Sequence, residues 1–156
     1  YIDNNFDSVI TEYNVTTFKK ITVDKESTAL SIIKESTSEE AFDKKMKEYE
    51  SDSEDAGVVT KNSSLDDNLK KALSDLSKVE KDGVYKEAIK LSDDNYAVIY
   101  LYDTAHKNKD DIKSALTSDT NAQQEIEAKY LSKYNFKVYD SKIKSAIKDI
   151  SSDYVE

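Results

Sequence analysis

The chain has 156 residues, 35% of them charged and 37% apolar, which bounds it to one domain with a thin core and a heavily solvated surface. A net charge of −9 at pH 7 excludes nucleic acid, which selects basic surfaces, and sets the chain against anionic lipid. All 23 basic residues are lysine, so the bidentate guanidinium fork that reads phosphate is missing, and the absence of cysteine removes disulfides, zinc thiolates and thiol nucleophiles together.

No apolar run approaches the roughly 20 residues that span a bilayer. The opening "YIDNNFDSV" has neither the basic nor the apolar region of a signal peptide, so an exported form would carry its signal outside these residues. With no proline and only Gly57 and Gly83, turns must be built from Asn, Asp and Ser.

In chain order, "FKKITV" (18–23) alternates, with Lys19, Ile21 and Val23 on one face and Phe18, Lys20 and Thr22 on the other, the pattern of a half-buried strand. Asp24 is placed to cap a helix presenting Ala29, Ile32 and Ile33. Thr37 and Glu40 have capping-box spacing before a second helix that buries Phe42, Met46 and Tyr49. Residues 50–62 read as a loop with a brief strand at Val58 and Val59. Ser64 and Asp67 repeat the cap spacing ahead of a third helix carrying Leu65, Leu69, Ala72, Leu73 and Leu76.

After the turn at Asp82 and Gly83 come two strands, a mixed one at 84–91 and the apolar "YAVIYLY" (96–102). The linker "LSDDN" makes them an antiparallel hairpin, and the second is a central strand covered on both faces. Beyond Asp103 the pattern supports one or two helices interrupted near "TSDTN", with Ile126, Tyr130 and Tyr134 on one face. An extended "FKV" and a last helix follow, capped by Asp140 and presenting Ile143, Ala146, Ile147 and Ile150.

Few side chains here offer chemistry. The lone histidine, His106, lies in the polar stretch "TAHKNK" with no apolar wall to hold it, which reads as a solvated surface position, and without another imidazole or a Gly-x-Ser-x-Gly elbow a hydrolase triad is disfavoured. From Asp52 the sequence begins like a calcium loop, with Glu54 and Gly57 in register, but Ala56 and Ser63 stand where ligands are required. No metal site and no cofactor is implied. Asn14-Val15-Thr16 and Asn62-Ser63-Ser64 fit short glycosylation patterns that arise readily by chance. Tyr96, Tyr100 and Tyr102 share one strand face, either as core packing or as rigid contact area for a bound polypeptide.

The order strand, two helices, short glycine-bearing strand, helix and two-strand hairpin resembles the parvulin type of peptidyl-prolyl isomerase. The flanking "YIDNNFDSVITEYNVTTFKKITV", the phrase "FDKKMKEYESDSEDAG" and the tail "YNFKVYDSKIKSAIKDI" resemble the PrsA foldase lipoproteins of Gram-positive bacteria, over nearly the whole chain. The resemblance implies an α+β fold, a four-stranded antiparallel sheet with covering helices. Residues 1–103 would form the parvulin-like domain, 1–13 being a lead-in, and 104–156 a C-terminal helical extension.

For the site, it implies histidines where this chain has Lys20 and Ala97, and an acid or thiol where it has Asp52. The family's Gly-Gly-x-Leu-Gly becomes "AGVVT", keeping an apolar Val59, and its proline pocket falls on Leu65 and Leu69, with Ser74 at the next aromatic position. Without the histidines, Lys20 is expected to pair with Asp52 and isomerase activity to be weak or lost. What remains is a foldase or chaperone domain binding unfolded or secreted client polypeptides at the extracellular face of the membrane or in the cell wall, anchored only through a lipid outside these residues. An active isomerase and a non-enzymatic surface spacer are the alternatives.

Overall fold

A computed structural model describes residues 1–133. Tyr134, the "FKV" segment and the helix expected after Asp140 lie outside the described residues. The fold is α+β. A 3-10 turn (Asp3–Asn5) leads into α1 (Phe6–Glu12), followed by β1 (Thr16–Val23), α2 (Glu26–Glu35), α3 (Glu39–Glu48) and β2 (Ser53–Val59). Then come α4 (Asp67–Leu76), β3 (Gly83–Val84), β4 (Ile89–Lys90), β5 (Tyr96–Leu101), α5 (Lys109–Ser118) and α6 (Thr120–Lys133).

The sheet is antiparallel throughout, in the order β2-β1-β5-β3, with β4 also paired to β5. It therefore has five strands rather than the expected four, and the reason is local. The strand expected at 84–91 is broken, because Val84 faces Tyr100 and Ile89 faces Ala97. Tyr85 to Ala88 must then fit opposite only Val98 and Ile99, and the surplus residues leave the ladder.

β2 also departs from the expectation of a brief strand at Val58 and Val59: it is seven residues long. Its register with β1 shifts between Phe18, opposite Gly57, and Lys19, opposite Asp55, leaving Ala56 as a bulge. Gly57 sits at φ +62°, a left-handed conformation that costs other residues strain. The Gly57 N–H donates to Asp55 Oδ1 at 3.0 Å.

β1 is not half-buried. Thr16, Thr17, Phe18, Ile21 and Val23 are all buried, because each face of the sheet has a helical cover. On one face Phe18, Val59, Ile99 and Leu101 pack under Leu69, Leu73 and Leu76 of α4. On the other, Ile21, Val98 and Tyr100 pack against Ala29 and Ile32 of α2 and Phe42 of α3, with the Phe42 and Tyr100 rings 5.3 Å apart. The tyrosine stripe of β5 is thus mainly core. A third cluster joins Val9, Ile10 and Tyr13 at the start of the chain to Ile112, Leu116, Ala122 and Ile126 of α5 and α6.

The helix starts fall a residue or two from the expected caps. α2 begins after Lys25, with no side-chain cap, so Asp24 does not serve. Ser38 rather than Thr37 caps α3, accepting the Ala41 N–H at 3.1 Å. At α4 the cap is Asp66 rather than Ser64. Asp66 Oδ1 accepts the N–H groups of Asn68 (2.9 Å) and Leu69 (3.4 Å), and Oδ2 accepts the Ser92 N–H (3.0 Å) and hydroxyl. One carboxylate thereby fastens α4 to the β4–β5 turn, over the face that holds Ala97.

Two stability predictions follow from this packing. Leu73→Ala should lose about 2–5 kcal/mol in urea denaturation, whereas Leu30→Ala, at a position 49% exposed, should stay within about 0.5 kcal/mol of the parent. Asp66→Ala should cost about 1 kcal/mol as a lost cap. The Ser92 hydroxyl first, then the backbone N–H groups of Ser92, Asn68 and Leu69, hold the Asp66 carboxyl below its usual range against the opposing effect of desolvation. Its contribution should be complete above the unfolded carboxylate value near about 3.9 and fade as pH falls through the lower folded value, so the parent and Asp66→Ala should converge in acid.

Candidate functional site

Lys20, Ala97 and Asp52 are the positions that the family resemblance singled out. β1 presents Lys20 on the face covered by α4, opposite Glu54 of β2 and Ile99 of β5. Ala97 lies opposite Thr22, one same-face step along from Lys20, and is fully buried. These two positions are neighbours in the β1–β5 ladder. Among the described residues no hydrogen bond or ion pair joins Asp52 to either position. It closes a 3-10 turn (Glu50–Asp52) ahead of β2, is exposed, and accepts a hydrogen bond from the Ser51 hydroxyl at 3.3 Å.

The expected Lys20–Asp52 pair does not form. Lys20 Nζ is instead 3.4 Å from Glu54 Oε2, and no ion pair to Asp52 occurs among the described residues. The register explains the exchange: β1 and β2 set Lys20 directly across from Glu54, and direct cross-strand opposites meet more easily than residues a turn away. Asp52 faces a cleft of about 240 Å³ at the end of β1, lined also by Thr22, Thr28, Tyr49 and Asn95.

The expected apolar pocket is brought together, but as interior. Val59 is 5% exposed and Leu69 fully buried, both in the cluster that contains Phe18, Ala97 and Ile99, while Leu65 packs half-buried at its edge. Two of the three side chains meant to meet a client are thus occupied with the core. Ser74 points to solvent. These positions hold an ion pair, a buried methyl group and a solvated carboxylate, and no imidazole.

Other polar features were not visible in the sequence. Lys19, on the opposite face of β1, donates to Asp43 (2.8 Å) and Glu39 (2.9 Å), binding the strand to α3. Burial works against its charge, but these two hydrogen bonds outweigh it and raise the ammonium's pKa. The Tyr102 hydroxyl donates to Asp55 at 2.6 Å, and burial followed by that carboxylate pushes the phenol's pKa up.

His106 is half-buried rather than solvated. Its Nε2 lies 3.2 Å from the Val15 carbonyl, which can only accept, so Nε2 carries the proton and donates. The residue sits at φ +52° and borders a cleft of about 510 Å³ with Asp7, Thr11, Asn14 and Glu80. Among the described residues no group of three or more His, Cys, Asp or Glu is placed to hold a metal ion, and no helix is long and apolar enough to cross a membrane.

No family model matches the chain, and no curated protein matches it. Among solved structures, it is similar to the crystal structure of foldase protein PrsA from Streptococcus pneumoniae, at 20% identity and a TM-score of 0.40 over 98% of this chain. The chain spans 61% of that protein's length.

The charge arrangement gives a direct check. Asp52→Asn should leave stability within about 0.5 kcal/mol of the parent, as an unpaired surface position does. Glu54→Gln should cost up to about 1 kcal/mol at low salt and less at high salt, as a partly exposed ion pair does. Urea denaturation at two ionic strengths measures both, and the reverse order of sensitivity would place Lys20 with Asp52.

Proposed function

We propose that this chain is an extracytoplasmic foldase-type module that binds unfolded or secreted polypeptides and has weak or no prolyl isomerase chemistry. One observation carries the second half of this reading: the ammonium at the position of the first family histidine is engaged by Glu54, and the second position is a buried alanine. Prolyl isomerisation crosses a barrier of about 18–20 kcal/mol, and an enzyme lowers it only by binding the twisted amide better than the planar one. A Lys–Glu pair satisfied within the sheet, beside an apolar interior, supplies no such differential contact.

The first half rests on the resemblance of element order and flanking phrases to the PrsA foldases, and the described chain keeps the expected strand, two helices, strand and helix, followed by three strands in place of the two-strand hairpin. By that resemblance the module acts outside the membrane and is held there by a lipid anchor on a longer protein. An inert surface spacer is a second reading, favoured by one specific finding: Val59 and Leu69, two of the three residues assigned to the client-binding wall, lie in the core.

Two measurements separate these readings. In a proline-peptide assay the protein should give a rate indistinguishable from background, and a clear acceleration abolished by Asp52→Ala would restore the isomerase. In an amide-shift titration with an unfolded, proline-containing polypeptide, a contiguous set of resonances should move around Leu65 and the neighbouring sheet edge. No movement anywhere on the protein would leave the spacer.

A further inference from the structure

α6 has a light hold on the rest of the chain, and its seat is the third apolar cluster. Val9 and Ile10 of α1, Tyr13 at its end and Val15 meet Ile112 and Leu116 of α5 there, whereas α6 supplies only Ala122 and Ile126. α5 is anchored without α6, since Ile112 and Leu116 are fully buried and Lys113 Nζ lies 2.5 Å from Asp3 Oδ1. A single extended residue, Asp119 (φ −87°, ψ +112°), joins the two helices, and its side chain accepts the Ala122 N–H at 3.0 Å.

Beyond those two apolar residues, side chains at the start of the chain fasten α6. The hydroxyl of the fully buried Tyr13 donates to Glu125 Oε2 at 2.6 Å, the Lys129 ammonium pairs with Glu12, and the Tyr130 ring meets Tyr1 edge-on at 6.4 Å. Lys61 Nζ stands 3.9 Å from Glu125 and 4.4 Å from the centre of the Tyr13 ring. The charged partners are 36% to 49% exposed, so their ion pairs contribute little, and the phenol–carboxylate bond is the strongest of these contacts. A cleft of about 680 Å³ runs along the seam, bordered by Glu12 and Lys61 on one side and by Ala128 and Ser132 on the other, so α6 does not close on the β2–α4 loop.

An element with few buried apolar contacts opens locally, at a lower free energy than the doubly covered strands. We infer that α6 is a strap that swings open about Asp119 with the sheet intact, uncovering a further apolar surface for a client polypeptide, built from Val9, Ile10 and Tyr13 with Ile112 and Leu116. The client as ligand rests on the proposed function; the opening rests on the packing alone. In the closed form the exposed large apolar side chains among the described residues are Leu30 on α2 and Tyr130 on α6 itself. Two such residues do not make the contiguous apolar patch that marks a binding surface. The bond from Tyr13 to Glu125 is the latch, because it must break for the cluster to be uncovered.

Native-state hydrogen exchange on the intact chain tests the opening. The amides of Ile126 and Ala128 should exchange by a route insensitive to low urea, while those of Val98 and Ile99 exchange only with global unfolding. Tyr13→Phe keeps the ring and removes the latch, so it should speed α6 exchange about tenfold. It should also tighten binding of a reduced, carboxymethylated polypeptide that stays unfolded, by up to the same factor, because more of the chain is then open. A clamp supplies the converse. The chain has no cysteine, so Glu12→Cys with Lys129→Cys can be bridged by a short bis-maleimide. The bridged form should lose the amide shifts that the polypeptide causes at Val9, Ile10 and Leu116 and keep those around Leu65, whereas the unbridged double variant should show both sets.

α6 amides that exchange with the free energy and urea dependence of Val98 and Ile99 would overturn the strap. So would a bridged form in which the shifts at Val9, Ile10 and Leu116 persist. Shifts confined to the surroundings of Leu65 in every form would remove the surface beneath α6 and leave client binding standing. If α6 opens locally but the unfolded polypeptide binds neither form, the strap stands and the client assignment fails together with the proposed function.

Discussion

β1 and β5 lie side by side in the middle of the sheet and are covered from both faces, by α4 on one side and by α2 and α3 on the other. That double burial constrains every polar group these strands carry, because a buried donor or acceptor without a partner is costly. Lys19 meets the constraint with two carboxylates of α3, and Lys20 with Glu54 across the ladder. Tyr102, just past β5, uses Asp55. The Thr17 hydroxyl is the exception among these groups, buried with no hydrogen-bond partner among the described residues.

The same constraint governs what Lys20 and its neighbours can do. A lysine on a doubly covered strand is tolerable only when neutralised, and Glu54 is the opposite residue that neutralises it. Once committed to that pair, Lys20 cannot also tune Asp52, which stays in solvent at the end of the sheet. With Ala97 sealed beneath α4, this part of the β1–β5 pair belongs to the stable framework.

Much of this was legible in the sequence where periodicity was strong. Leu69, Leu73 and Leu76 mark the buried stripe of α4, and the apolar run at 96–101 marks the central strand. Hidden features depended on pairing rather than pattern. The acidic start of β2 has no hydrophobic alternation, because Glu54 and Asp55 are exposed on opposite faces of an edge strand, so only Val58 and Val59 were visible. The bulge at Ala56 sets the β1–β2 register and hence the choice of Glu54 over Asp52, yet only Gly57 hints at it. His106 is held by a carbonyl far away in the chain, which no local reading can supply. The shared cluster of α1, α5 and α6 is likewise a long-range event.

The account depends on binding without turnover, and one experiment addresses it most directly: refolding of a denatured protein whose slow phase is limited by proline isomerisation, with this chain added over a range of ratios. The account predicts a recovered yield that rises with the chain up to stoichiometric amounts, while the rate constant of the slow phase stays unchanged. Acceleration of that phase by a small fraction of an equivalent would contradict it.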